Sequence, residues 1–174
     1  QRQIKDEILT DIMDYYYYPI HNGSSQLFSI AVPKMIRRSF QDNMRRMKAR
    51  LNGISTGIFS AENGARHWFH ADKLDSYLVW KIGNKKRDEI LYIKNNQLES
   101  YFSITRTVKK LKINWQFGNK DSLKLICQYI EHLFDNKNQS QAPVRKIFVY
   151  TCNGKIKDVK AIQKAGSDNI ILLN

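Results

Sequence analysis

The sequence predicts an α+β fold, and three observations carry that expectation. Apolar residues recur at helical spacing through residues 1–52, change to strand spacing in the middle of the chain, and then alternate between the two from Val108 to Asn174. The expected order is an N-terminal three-helix segment, an antiparallel β-meander of four or five strands, and a C-terminal β-α-β-α-β unit. That last unit resembles a short leucine-rich-like solenoid, or the edge of a small α/β sheet. The change of period suggests a helical region over 1–52 and a β-rich, then α/β, region over 53–174.

In the first region Ile4, Ile8, Ile12 and Tyr15, flanked by Leu9 and Met13, make one stripe, and Pro19 with Asn22-Gly23 ends that helix. Ser24 or Ser25 can cap a short second helix with Leu27, Ile30 and Ala31 on its apolar side. Pro33 suits the first turn of a third helix, in which Ile36, Phe40, Met44, Met47 and Leu51 line one face. Its other faces carry Lys34, Arg37, Arg38, Arg45, Arg46, Lys48 and Arg50.

Ile54 to Phe59 and Ala65 to His70 read as strands around Glu62-Asn63-Gly64, because Asn-Gly is a strong hairpin signal. Tyr77 to Ile82 and Glu89 to Lys94 make a second pair around Gly83-Asn84, and Leu98 to Ile104 reads as a fifth strand or a short helix, the strand being favoured. In the next strand, 109–115, Leu111, Ile113 and Trp115 share one face. Asn119 or Asp121 caps a helix over 121–134 whose stripe is Leu123, Ile126, Cys127, Ile130, Leu133 and Phe134. That stripe should cover the face of strand 109–115. The polar stretch Asn136 to Pro143 carries the chain back to a strand at Lys146 to Tyr150. Asn153-Gly154 turns into a helix with Ile156, Val159 and Ile162, Gly166 closes it, and Asn169 to Leu173 is the last strand. Strands separated by helices favour right-handed crossovers, hence a parallel sheet with the helices on one side.

Lys and Arg number 29 against 16 Asp and Glu, a net charge of +13, so acidic partners come first to mind. The excess is spread along the chain rather than held in a tail. Cys127 and Cys152 form neither a disulfide framework nor a CxxC pair, which fits a reducing intracellular compartment, cytoplasmic or nuclear. No run approaches the roughly 18 apolar residues of a membrane span, and Gln1 to Asp14 is too polar for a signal peptide. A chain that starts without Met, with both ends abutting expected elements, reads as a piece of a longer protein.

Residues that bear chemistry are few. His67 and His70 have the H-x-x-H spacing of a ligand pair, but on a strand they point to opposite faces, and no nearby Cys or carboxylate completes a zinc set. A divalent-metal nuclease needs clustered acids, and Asp72 with Asp75, or Asp88 with Glu89, are the dense candidates. Each sits at the margin of an expected strand, where solvated turn residues are normal. Cys127 reads as core, and no Gly-rich phosphate cradle is present. The expectation is therefore no catalytic residue, no metal and no cofactor. Arg37, Arg38, Arg45, Arg46, Lys48 and Arg50, offset only by Asp42, can grip phosphate or an acidic protein, or simply form a solvated helix face. The run Tyr15-Tyr16-Tyr17-Tyr18 can stack on bases or pack against a neighbour.

The layout and two segments resemble the nematode F-box proteins that carry an F-box-associated domain. Asp6-Glu7-Ile8-Leu9-Thr10-Asp11-Ile12-Met13 is similar to the first F-box helix, and Leu27 through Arg38 is similar to the later leucine, small, valine, x, lysine, x, x, arginine stretch. Asp121 through Phe134, Ile147-Phe148-Val149 and Ile156 to Leu173 resemble the helix and strand-helix units of the associated domain. The resemblance implies a degenerate F-box-like segment over 1–52 and a recognition domain over 53–174. It also implies an adaptor role. Ile8, Leu9, Ile12, Met13, Leu27, Ile30 and Ile36 would dock on the Skp-type adaptor of a cullin ubiquitin ligase, and the β/α part would take a protein substrate, acidic for preference. Nucleic-acid binding through the basic faces is the alternative reading, and a metal-dependent nuclease the second. No membrane partner is expected.

Overall fold

The computed structural model describes residues 13–19, 27–51, 55–83, 87–107, 111–135, 144–151 and 169–173. The chain divides into two compact units, Gln1–Ser55 and Thr56–Asn174. Helices precede, and are followed by, a largely antiparallel sheet, so the α+β class and the meander hold.

The first unit pairs β1 (Met13–Pro19) with β2 (Leu27–Pro33) in an antiparallel ladder that runs from Met13 opposite Pro33 to Pro19 opposite Leu27. Helices were expected over both stretches. Four successive tyrosines in β1, and Phe28, Ile30 and Val32 in β2, are residues that suit a pleated strand, and they outweigh the weak helical spacing. Ile8, Leu9 and Ile12 lie outside the described residues. Helix α1 (Lys34–Arg46) starts directly after Pro33, whose φ of −55° leads into the first turn. Its last turn holds Arg45 and Arg46, cations that suit the negative end of the helix dipole.

The second unit opens with α2 (Gly57–Phe69), where the sequence predicts a hairpin. Ile58, Glu62 and Ala65 are buried at helical spacing, and this tertiary burial overrides the Asn63-Gly64 turn signal. Gly64 has another use: a Cβ there would lie 2.8 Å from Cζ3 of Trp68, so its missing side chain makes room for the indole one turn on. His70, in the left-handed region at φ 53°, ends the helix.

A meander follows: β3 (Ser76–Ile82), β4 (Arg87–Lys94), β5 (Gln97–Arg106) and β6 (Leu111–Gly118), each antiparallel to the one before. Asn119 caps α3 (Lys120–Asp135) by accepting from the amides of Asp121, 2.9 Å, and Ser122, 3.4 Å. The chain then returns to β7 (Lys146–Thr151), which lies parallel to β3, and β8 (Ile170–Leu172) pairs parallel with β7. The sheet order is β6-β5-β4-β3-β7-β8. A solenoid would set β6 beside β7. Instead three strands separate them and their directions are opposite, so that part of the solenoid expectation is corrected. The helix expected between β7 and β8 falls on residues outside those described.

The helices do not share one side of the sheet. Leu78, Trp80, Ile90, Tyr92, Phe102, Ile104, Ile147 and Val149 face α3 and form the main core with Leu123, Ile126, Tyr129 and Ile130. The alternate residues face α2: Tyr77 donates to Glu62, Phe59 meets Tyr101 edge-on, and Phe69 meets Phe148. Strand β6 reaches α3 only through its beginning. Leu111 packs on the main core and its amide donates to Glu131 at 3.0 Å, but Ile113 and Trp115 are 41% and 42% exposed. For Trp115 the cause is a bulge. Ile113 pairs with Ile104 and Trp115 with Ser103, leaving Asn114 as an extra residue, so Trp115 crosses to the α2 side.

Candidate nucleic-acid interface

Helix α1 has no buried residue. Arg38, Arg45, Arg46, Lys48 and Arg50 are exposed and Arg37 is half-buried. Spacing places Arg38, Asp42, Arg45 and Arg46 along one side of the helix, where Asp42 approaches Arg45 at 3.8 Å. Both of those side chains are well solvated, so the pair neutralises little of the helix's charge. Apolar residues on the same helix and at its cap are open as well: Ile36 is 45% exposed and Phe40 52%, and Met47, just past the last turn, 73%. Of the set expected to meet an adaptor, only Ile36 has a described side chain; Met13, Leu27 and Ile30 fall in strands rather than helices.

The acids that a nuclease would need do not converge. Asp88 is not a solvated turn residue but fully buried on the α3 side. Its Oδ2 accepts from Trp80 Nε1 at 3.0 Å and lies 2.7 Å from Arg106 Nε, while Oδ1 accepts from the Gly83 amide at 3.1 Å. Burial pushes its pKa up, and the Arg106 charge with the three hydrogen bonds pulls against that rise. Glu89 faces the other way and takes Lys81 at 2.6 Å and the Tyr101 hydroxyl at 2.9 Å. Asp72 and Asp75 are exposed, and Asp75 pairs with Arg145 at 3.2 Å. Among the described residues no group of three or more His, Cys, Asp or Glu is placed to hold a metal ion.

Glu62 is buried under α2 with two partners, Arg66 and Tyr77. Burial and the Glu62 hydrogen bond push the Tyr77 hydroxyl well above its usual pKa; burial alone would lower Arg66, but Glu62 outweighs it. This cluster anchors α2 to β3 and offers no open acid. His67 and His70 are exposed and sit on α2 and its cap, not on a strand, with His67 against Trp68. Cys127 borders the core, and burial followed by Glu131 raises its thiol to about 11, far from a nucleophile's value. Tyr15 to Tyr18 fall in β1, and Cys152 lies outside the described residues.

Two residues matter more than the sequence suggests. Trp115, expected beneath α3, stands on the opposite side of the sheet, half-exposed, with its ring 4.6 Å from Tyr101 and at 84° to it. Lys112 is exposed on that same side. Alternation places Lys112 on that side but misses Trp115, because the bulge at Asn114 changes the phase of the strand.

No protein-family model matches the chain, and no curated protein sequence matches it. Among the described residues no helix is long and apolar enough to cross a membrane.

Proposed function

We propose that this chain binds nucleic acid without performing chemistry on it. One observation supports the reading best: α1 exposes Arg38, Arg45 and Arg46, the turn just past its end exposes Lys48 and Arg50, and Asp42 is the only acid on this stretch. A phosphate backbone is the polyanion that such a solvated set fits, since each contact releases condensed counterions and needs no shaped pocket. The net charge of +13 adds long-range attraction. Asp88, Glu89 and Glu62, each held by a basic or hydrogen-bonding partner, leave a binding role rather than hydrolysis.

The test is fluorescence anisotropy with labelled RNA and DNA oligonucleotides across a salt series. Arg38→Ala, Arg45→Ala and Arg46→Ala together should weaken binding at least tenfold. The slope of log affinity against log salt should fall by about two, as expected for three fewer contacts to a single strand. Failure of the intact chain to bind any RNA or DNA at low salt would end the reading.

A second reading is protein recognition, including the adaptor role in a cullin ubiquitin ligase. The open apolar residues Ile36, Phe40 and Met47 favour it, because a protein partner would remove them from water. Ile36→Asp should abolish capture of a Skp-type adaptor and leave oligonucleotide binding unchanged; on the nucleic-acid reading no adaptor binds at all.

A further inference from the structure

We infer that the α2-side face of strands β4, β5 and β6 is a stacking platform for single-stranded nucleic acid, with Trp115 as the residue that meets a base. The inference rests on the nucleic-acid reading and adds to it the strandedness of the ligand and a second contact surface, in a different unit of the chain from α1.

The register places the groups. Arg87 pairs with Thr105, and Thr105 with Lys112, so three residues from neighbouring strands stand in one row on this face. Two strand spacings of about 4.8 Å separate the Arg87 and Lys112 backbones. Arg87 and Lys112 are exposed. In the next row are Glu89, Ser103 and Trp115, with Asn114 between Trp115 and Lys112 in sequence. The Asn114 amide donates to Ser103 Oγ at 3.3 Å and its carbonyl oxygen accepts from Thr105 Oγ1 at 3.1 Å, which ties the bulge to β5. The result is an indole fixed one row from the row that carries Lys112 and Arg87, with Ser103, Asn114 and Thr105 as small polar groups between them.

Three features select the ligand. First, the charge on this part of the face is positive: its acid, Glu89, is already engaged by Lys81 and Tyr101. Second, Trp115 is not loose surface. The edge contact with Tyr101, itself held by Phe59 and Glu89, sets the indole in place before any ligand arrives, so little side-chain freedom remains to be lost. Third, an indole can stack only on a base whose face is free. In a duplex each base face is covered by its neighbour, whereas a single strand presents faces that any aromatic ring can cover, with little regard to sequence. A broad sheet surface with a half-exposed tryptophan and flanking cations therefore suits a single strand.

The experiment uses the full chain and compares a labelled twelve-nucleotide single strand with the matched duplex by anisotropy at fixed salt. The intact chain should bind the single strand more tightly. Trp115→Ala should weaken single-strand binding about tenfold or more without changing the salt slope, and Trp115→Phe should restore most of the loss. Lys112→Glu, at an exposed position that folding does not need, should weaken binding and lower the slope by about one. Single-strand affinity of Trp115→Ala and Lys112→Glu within twofold of the intact chain would overturn the platform, as would a preference for the duplex. If the α1 arginine variants then still abolish binding, the broader function survives its loss. If the intact chain binds neither oligonucleotide, both fall together.

Discussion

Helix α1 carries Ile36 and Phe40 on one face and buries none of its residues; α3 carries Leu123, Ile126 and Ile130 at the same kind of spacing and buries all three. The two patterns look alike in sequence. What differs is the surface opposite. The stripe of α3 meets a sheet face that supplies Leu78, Trp80, Phe102 and Ile147, and each buried side chain of this kind is worth about 1.5–3 kcal/mol. An amphipathic pattern thus states that a face is available, and the rest of the fold decides whether the face is used. On α1 the basic residues and the apolar ones are both open, so it adds no buried residue to a core.

The largest test of this contrast is Ile130→Asp. Ile130 is fully buried, so an unpaired carboxylate there should cost about 3–5 kcal/mol, read as a lower denaturant midpoint. A small loss would mean that α3 is not seated on the sheet.

Asp88 sharpens the point, because the core between α3 and the sheet, which should reject Asp at 130, accepts one at 88. Arg106, Trp80 and Gly83 make the difference, and Asp88→Ala, which strands Arg106, should cost about 3 kcal/mol. The pH dependence has a definite sign. Burial raises the folded pKa of Asp88, so the folded state keeps its proton where the unfolded chain has lost it. Its contribution to stability is therefore highest below the unfolded carboxyl pKa and declines as pH rises through the window up to the folded value. Asp88→Asn should remove that decline from a stability-against-pH series; a series identical to that of the intact chain would show that Asp88 does not titrate in this way.

Asn114→Ala, at the edge where the cover of α3 ends, should cost about 1 kcal/mol by removing the bonds to Ser103 and Thr105. Smallest of all are Phe40→Asp on α1 and Leu125→Lys on the open side of α3, each expected to shift stability by under about 0.5 kcal/mol. A Phe40→Asp loss as large as that of Ile130→Asp would erase the contrast between the helices.

Much of the sheet and of α3 is legible in the sequence, because Tyr77 to Ile82, Glu89 to Lys94 and Leu98 to Ile104 are long β-rich runs, and the α3 stripe is regular. The failures have local causes. Asn63-Gly64 looks like a hairpin turn but lies inside α2, where burial of Ile58 and Ala65 decides the outcome and the glycine serves Trp68. Asp88 sits beside a turn in sequence yet shares the strand phase of Ile90 and Tyr92, a phase that places it inside. Of the candidate interface, the arginines of α1 are legible as a charge run, but Trp115 is not, since one extra residue in β6 reverses its side. The neighbours of β7 are equally hidden, for nothing local marks Lys146 as the register partner of Tyr77.

That last pairing has a consequence for how the chain must be made. Strand β3 is apolar and shielded on both faces, with Tyr77, Leu78, Val79 and Trp80 fully buried, yet one of its edges is closed only by β7, roughly seventy residues later. Translation at about 5–20 residues per second leaves that edge open for roughly four to fourteen seconds. During this interval β3 to β6 can already have zipped up as a meander, a local and fast event, while the most hydrophobic backbone in the unit still offers a free row of amides and carbonyls to any passing strand. The late arrival of Lys146–Thr151 is the step that converts an adhesive nascent sheet into a finished one, and a ribosome stalled just short of it would release a sticky product.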